Sequence, residues 1–282
     1  MLPRLFALVV VVVVASCATA APVATALDPA LANTPEKQKA VAVLNAFETG
    51  ETAAFDAFDA EHYIQHNPAA ADGAAGLKQL TDILKVIPGP LIKMRALRVF
   101  QDGDMVFTHS HADLFGKKAV FDVMRFSDGK IVEHWDNFQD AGGENAAGHS
   151  MIDGPIIAAD LDKTVINKAL VIRYVDDVFL KGKVDKISDY LDGQNHIEHR
   201  AGGDDGAAAL IAWLPSRPSY QWVHHVLGEG SFVLVMGEGR ESEVPVAIYD
   251  LFRVEGGKIA EHWSVVEAIP PKSSWKNTNG KF

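Results

Sequence analysis

A chain of 282 residues that is 48% apolar has the length and core-forming material for two small domains or one large one. Its formal charge of −11 excludes a binder of phosphate backbones, which concentrates Lys and Arg on one surface, and no basic patch interrupts the acidic balance. Cys17 is the only cysteine, so the chain holds no intrachain disulfide and each domain rests on its core alone.

In chain order, Arg4 precedes an apolar run over residues 5–15 that is too short to span a bilayer as a helix and reads as a secretory signal. Val14-Ala15-Ser16-Cys17 resembles a bacterial lipobox, which assigns lipidation to Cys17; cleavage after Ala18-Thr19-Ala20 is the alternative. Both readings predict export, to the bacterial periplasm or, through the lipid anchor, to the outer membrane. The anchor is the one membrane contact expected. Residues 1–20 form this leader, and the Ala-, Pro- and Thr-rich residues 21–34 form a flexible tether.

After Pro35, the spacing of Val41, Leu44 and Phe47 predicts a helix that Gly50 stops. A short helix over 53–58 and a third over 75–86 follow, the latter ended by Pro88-Gly89-Pro90. Strands are expected over 93–101, 105–115, 119–126 and 131–138, with Asp102-Gly103 and Asp128-Gly129 as hairpin turns. Residues 141–160, rich in Gly and Ala, read as a linker.

The pattern then repeats. Phe47 with Gly50 returns as Phe179 with Gly182, and Tyr63-Ile64-Gln65-His66-Asn67 as His196-Ile197-Glu198-His199-Arg200. Ile131-Val132-Glu133-His134-Trp135 returns as Ile259-Ala260-Glu261-His262-Trp263. Markers in one order at a nearly constant offset mean a duplicated domain, 35–140 and 161–268, with a tail over 269–282. Helices first and an antiparallel meander after give an α+β class, with helices on one face of each sheet.

The set Tyr63-Ile64-Gln65-His66-Asn67-Pro68, Asp72-Gly73, Phe121-Asp122 and Asp128 through Asp136 resembles the SnoaL-like polyketide cyclases of the nuclear transport factor 2-like superfamily. The resemblance covers both repeats. It implies two cone-shaped α+β barrels, paired through their sheets as a pseudo-dimer within one chain. It also implies an Asp acting as acid and base in an aldol-type ring closure, without metal or cofactor, on a small apolar carbonyl ligand. The fold hosts isomerases, cyclases, dehydratases, hydrolases and non-catalytic binders, so it does not name a substrate.

Counting back from an Asp128-Gly129 turn pairs Met124 with Glu133 and Asp122 with Trp135, which puts these four on one sheet face and His134 and Asp136 on the other. A one-residue slip would exchange the sets. An Asp in an apolar hollow suits a general base, because burial raises a carboxylate's pKa toward working pH. The resemblance carries the acid/base role onto Asp122, and a buried structural acid is the alternative. His109 and His111 alternate on one strand, as helpers of Asp122 or as a surface pair. A metal reading of this H-x-H, with His66 or Asp122 as third ligand, lacks a stronger ligand signature, and none is assigned. Tyr63, His66 and Asn67 are candidate substrate contacts or plain helix-capping groups, and Glu133 and Trp135 are candidate walls.

The second copy keeps His199, Asp250, Glu261 and Trp263 but replaces Tyr63 by His196 and the His pair by Met236-Gly237-Glu238. No Gly-rich phosphate loop and no serine nucleophile elbow is present. Three functions stay open: an exported acid/base enzyme performing cyclisation, isomerisation or dehydration, a small-ligand binding module at the cell envelope, and a module that only assembles.

Overall fold

The computed structural model describes residues 30–86, 93–113 and 116–282. The leader with Cys17, most of the tether and the Pro88-Gly89-Pro90 stop lie outside the described residues. No helix among those described is long and apolar enough to cross a membrane.

Unit one opens with helix α1, Pro35–Thr49. Thr34 caps it by accepting the Lys37 amide at 3.2 Å, Pro35 sits where a missing N–H costs nothing, and Gly50 ends it at φ 72°. A 3-10 turn at Thr52–Ala57, strand β1 (Ile64–Gln65) and helix α2 (Gly73–Val86) follow. The meander is β2 (Lys93–Asp102), β3 (Met105–Asp113), β4 (Lys117–Ser127) and β5 (Lys130–Asp140). Unit two repeats the plan. Helix α3 (Thr164–Tyr174) runs into a π-helical turn at Val175–Leu180, and α4 (Ile187–Tyr190), β6 (Ile197–Glu198) and α5 (Gly206–Trp213) precede β7 (Ser219–Glu229), β8 (Phe232–Glu241), β9 (Val244–Glu255) and β10 (Lys258–Ala268). The β4–β5 and β9–β10 turns carry positive φ at both central residues, Asp128-Gly129 and Gly256-Gly257, as two-residue hairpins require.

The expected cones are not present. Each unit is an open five-stranded sheet in the order β1-β5-β4-β3-β2, repeated as β6-β10-β9-β8-β7. Closure would need the two edge strands to pair, and they do not; one edge is only two residues long and runs parallel to its neighbour. A layer of helices covers one face of each sheet instead, α1 with Phe55 and Phe58 in unit one and α3 with Tyr190 in unit two.

The other two faces meet, giving a helix–sheet–sheet–helix order and an intrachain pseudo-dimer. Phe100, Phe107, Phe121 and Trp135 of unit one share a core with Phe232, Leu234, Tyr249 and Trp263 of unit two, and Phe100 stacks on Phe232 at 4.6 Å. Asn137, fully buried, donates across this seam to the Ala247 and Val265 carbonyls at 3.2 and 2.8 Å.

Each unit is also fastened by the segment that leaves the other. The segment after β5 lies on unit two, where Asn145 donates to the Glu198 carbonyl and Trp263 Nε1 donates to the Asp153 carbonyl at 3.0 Å. The segment after β10 lies on unit one, where Asn277 donates to the Asn67 and Ala70 carbonyls and Asn279 to that of Gln65.

Replacing Asn137 by Ala leaves two seam carbonyls without their donor. The expected loss is about 1–3 kcal/mol of unfolding free energy, read from the urea midpoint; an unchanged midpoint would mean the seam does not rely on this amide.

Candidate active site

The site begins with one extra residue. Phe126 pairs with Ile131 but Arg125 pairs with Glu133, so Val132 has no partner and β5 carries a bulge. Beyond it the pleat is inverted relative to a regular hairpin: Met124 faces His134, Val123 faces Trp135, and Asp122 faces Asp136. The expected grouping of Asp122 and Met124 with Glu133 and Trp135 is thereby corrected. Asp122, Met124, His134 and Asp136 share the face under the helices, and Glu133 and Trp135 point to the seam.

Under the helices lies a cavity of about 400 Å³. Phe47 of α1, Phe58, Leu77 and Leu80 of α2, Met94 and Phe138 make its walls apolar, and Asp122, Asp136, His134, Lys118, Tyr63, Gln65 and Asn67 are among its polar groups. Asp122 is 5% exposed. Its Oδ1 lies 3.2 Å from His134 Nε2, and its Oδ2 makes no hydrogen bond among the described residues.

Behind the pair runs a fixed chain. His134 Nδ1 lies 3.2 Å from Gln65 Oε1, which also accepts the Asn67 amide at 2.8 Å, and Gln65 Nε2 donates to the Tyr63 hydroxyl at 2.8 Å. The Gln65 carbonyl can only accept, so Nδ1 carries a proton and Nε2 shares a second with Asp122. Tyr63, whose oxygen is already an acceptor, keeps its own O–H to donate. Asn67 in turn donates to Asp136 at 2.7 Å.

Burial raises the Asp122 pKa, while His134 and Thr108 pull it partly back. Burial alone would lower that of His134, but Asp122 and Asp136 outweigh it and the imidazole is raised. Burial pushes the Tyr63 phenol well above 10, so it stays a neutral donor.

Three expected partners are elsewhere. His109 and His111 sit opposite Phe121 and Ala119 on the far face of the sheet; His109 stacks on Phe121 at 4.4 Å and lies 3.0 Å from the Arg98 guanidinium. Neither helps Asp122. His66, next along from β1, faces the seam: its Nε2 lies 2.9 Å from Glu133, which Arg125 holds at 2.7 Å, and its ring stacks on Trp135 at 4.7 Å. Sequence reasoning missed His134 and Gln65 as site residues. The signal available was His134 recurring as His262 at the same distance from Asp122 and Asp250.

The second copy keeps the pair and closes it. His262 Nε2 lies 3.2 Å from Asp250 Oδ1, but the Tyr220 hydroxyl donates to Asp250 Oδ2 at 2.6 Å. Register places Tyr220 opposite Gly239, where unit one has Met94 opposite Ala112. Glu198 stands in place of Gln65, 3.0 Å from His262 Nδ1. His199, Glu261 and Trp263 repeat the seam arrangement of His66, Glu133 and Trp135, with His199 Nε2 2.8 Å from Glu261 and its ring 4.2 Å from Trp263.

Burial would lower the His262 pKa, but Glu198 and then Asp250 raise it to about 9. An unfolded His releases its proton near 6.5, so the stabilisation is present in full below that pH and is lost as pH rises through about 9. Unfolding free energy should fall by roughly 3 kcal/mol over that window. The slope should flatten in the Glu198→Gln/His262→Gln double variant; a slope common to both proteins would remove His262 as its source.

Residues 40–134 match the SnoaL-like domain family. No curated protein matches the chain. Among solved structures, a candidate ketosteroid isomerase from Kribbella flavida is 16% identical, the match covering 39% of this chain and 84% of that one with a TM-score of 0.35. A candidate polyketide cyclase from Bacillus cereus is 22% identical over 40% of this chain and 81% of that one, with a TM-score of 0.32. TsrD from Streptomyces laurentii is 18% identical over 40% and 91%, with a TM-score of 0.33.

Proposed function

We propose that unit one, whose residues 40–134 match the SnoaL-like domain family and whose strand order unit two repeats, is an acid/base enzyme for a small apolar carbonyl compound. The observation that carries this is Asp122: a buried carboxylate in an apolar cavity, with an imidazole on Oδ1 and no hydrogen-bond partner within 3.5 Å of Oδ2 among the described residues.

Oδ2 of Asp122 takes a proton from the carbon beside the carbonyl. The proton shared between Asp122 and His134 keeps the pair's charge balanced as this happens, and Tyr63 donates its O–H to the enolate oxygen that develops. Return of the proton to another carbon isomerises the compound. Attack of the enolate on a second carbonyl closes a ring, and loss of hydroxide from the β-carbon, protonated by the same pair, dehydrates it. All three begin with the same abstraction, and the chain's own side chains supply it.

Unit two, with Asp250 capped by Tyr220, serves as the partner that backs the sheet of unit one. We propose further that residues 1–20 act as a leader directing the protein to the bacterial envelope, anchored through Cys17 or released after Ala20.

The direct test is α-proton exchange of 2-tetralone in D₂O, followed by NMR. The protein should accelerate it, and Asp122→Asn should remove about 10²–10⁴-fold of the acceleration. The rate should rise as Asp122 ionises, at a pH above the ordinary carboxylate range, and fall as His134 loses its proton above its usual 6.5. His134→Gln should abolish the alkaline limb. Binding of the ketone, equal in both proteins and without exchange, would make the cavity a binding site and end the enzymatic reading.

A further inference from the structure

The seam-facing histidine of unit two is held by more than its counterpart in unit one. In both units Nε2 of this histidine meets a carboxylate that an arginine clamps: His66–Glu133–Arg125, and His199–Glu261–Arg253, where Arg253 Nε reaches Glu261 at 2.6 Å. In both, the ring lies flat on a tryptophan. The Nδ1 sides differ. Among the described residues, His66 Nδ1 meets only the Gly280 carbonyl, at 3.2 Å. His199 Nδ1 meets the Ser150 carbonyl at the same 3.2 Å and, in addition, Asp153 Oδ1 at 2.5 Å, with the His149 ring 5.2 Å away.

The duplication acts as an internal control. A carbonyl is enough to hold this ring, so the carboxylate and the second imidazole are surplus to that task. Donor atoms of His149, Asp153 and His199 all lie within 4.8 Å of one another. We propose that they form a binding site for a divalent transition metal of the zinc class.

The surroundings fit such a site. Glu261 accepts the Nε2 proton of His199, so a metal at Nδ1 displaces the proton that Asp153 Oδ1 and the Ser150 carbonyl accept there, while Asp205 lies 3.2 Å from His149 Nε2 and orients that ring. Asp153 Oδ2 accepts the Ser150 amide at 3.0 Å, which fixes the carboxylate without occupying Oδ1. The loop approaches so closely that a Cβ on Gly154, at φ 91°, would sit 2.8 Å from Trp263 and 3.2 Å from His199. His199 is buried, whereas the Asp153 side chain is 42% exposed, so the fourth position faces solvent and a water completes the set. Two imidazoles and one carboxylate with an open position suit Zn²⁺, and Co²⁺ can replace it as a spectroscopic probe. The site lies across the sheet from the Asp122 cavity and does not depend on the function proposed for it.

The experiment is a Zn²⁺ titration of the untagged protein, stripped of metal, in competition with a chromophoric chelator. One equivalent should bind. His149→Ala and Asp153→Ala should each weaken Kd by at least about tenfold, and Glu261→Gln by about 10–100-fold, while the exposed His62→Ala leaves it unchanged. Both ligand variants lie on the loop and leave His199 in place; circular dichroism checks their fold. Co²⁺ should give the visible d–d bands of a four-coordinate site in the parent protein and lose them in His149→Ala. Absence of Zn²⁺ binding, or a Kd that His149→Ala and Asp153→Ala leave unmoved, would overturn the proposal and leave Asp153–His199 as a hydrogen bond only.

Discussion

One unpaired residue in each fourth meander strand, Val132 and Ala260, governs the whole arrangement. A strand has a period of two, so an insertion there exchanges the faces of everything that follows it. With it, His134 and Asp136 turn under the helices to join Asp122, and Glu133 and Trp135 turn to the seam to join His66. Without it, the imidazole would leave the carboxylate and a tryptophan would fill the cavity. The same bulge therefore builds two separate polar systems on opposite faces of one thin sheet.

The two units share this skeleton and diverge in what they hang on it. Met94 is apolar and leaves Asp122 Oδ2 unengaged, whereas Tyr220, at the matching register, reaches Asp250 and occupies it. Gln65 is neutral and lets Asp122 and His134 balance one another; Glu198 adds a second buried anion and helps keep His262 a cation up to about pH 9. A buried imidazolium held between two carboxylates, one of them bonded by Tyr220, holds a structure rather than passing a proton. The proposed proton exchange therefore belongs to one copy, and the other copy keeps its proton.

Much of this was legible in the sequence, and the failures are specific. Periodicity, Gly50 and the Asp-Gly turns located the helices and hairpins because these depend on local conformation, and the repeated pentads exposed the duplication. Asp122 was singled out by the SnoaL-like resemblance and by its Phe and Met neighbours, and it does line the cavity. The bulge was not legible: Val132 is a good strand residue, and nothing in its side chain announces that it lacks a partner. That single omission sent His134 and Asp136 to the wrong face. The cones failed for a different reason, since barrel closure depends on whether two edge strands meet and is not written in either strand. His109 and His111 were correctly read as sharing a face, but which face depended on cross-strand register.

The reciprocal fastening of the units sets an order of events. The loop that carries Tyr63, Gln65 and Asn67 is bound by Asn277 and Asn279, and Lys281 reaches Asp136 beside it. Those residues are synthesised only after all of unit two, which at about 5–20 residues per second comes many seconds after β5. Unit one can collapse early, but its cavity wall is finished late, once the second half exists. A chain built this way has no completed pocket wall until its last residues are made.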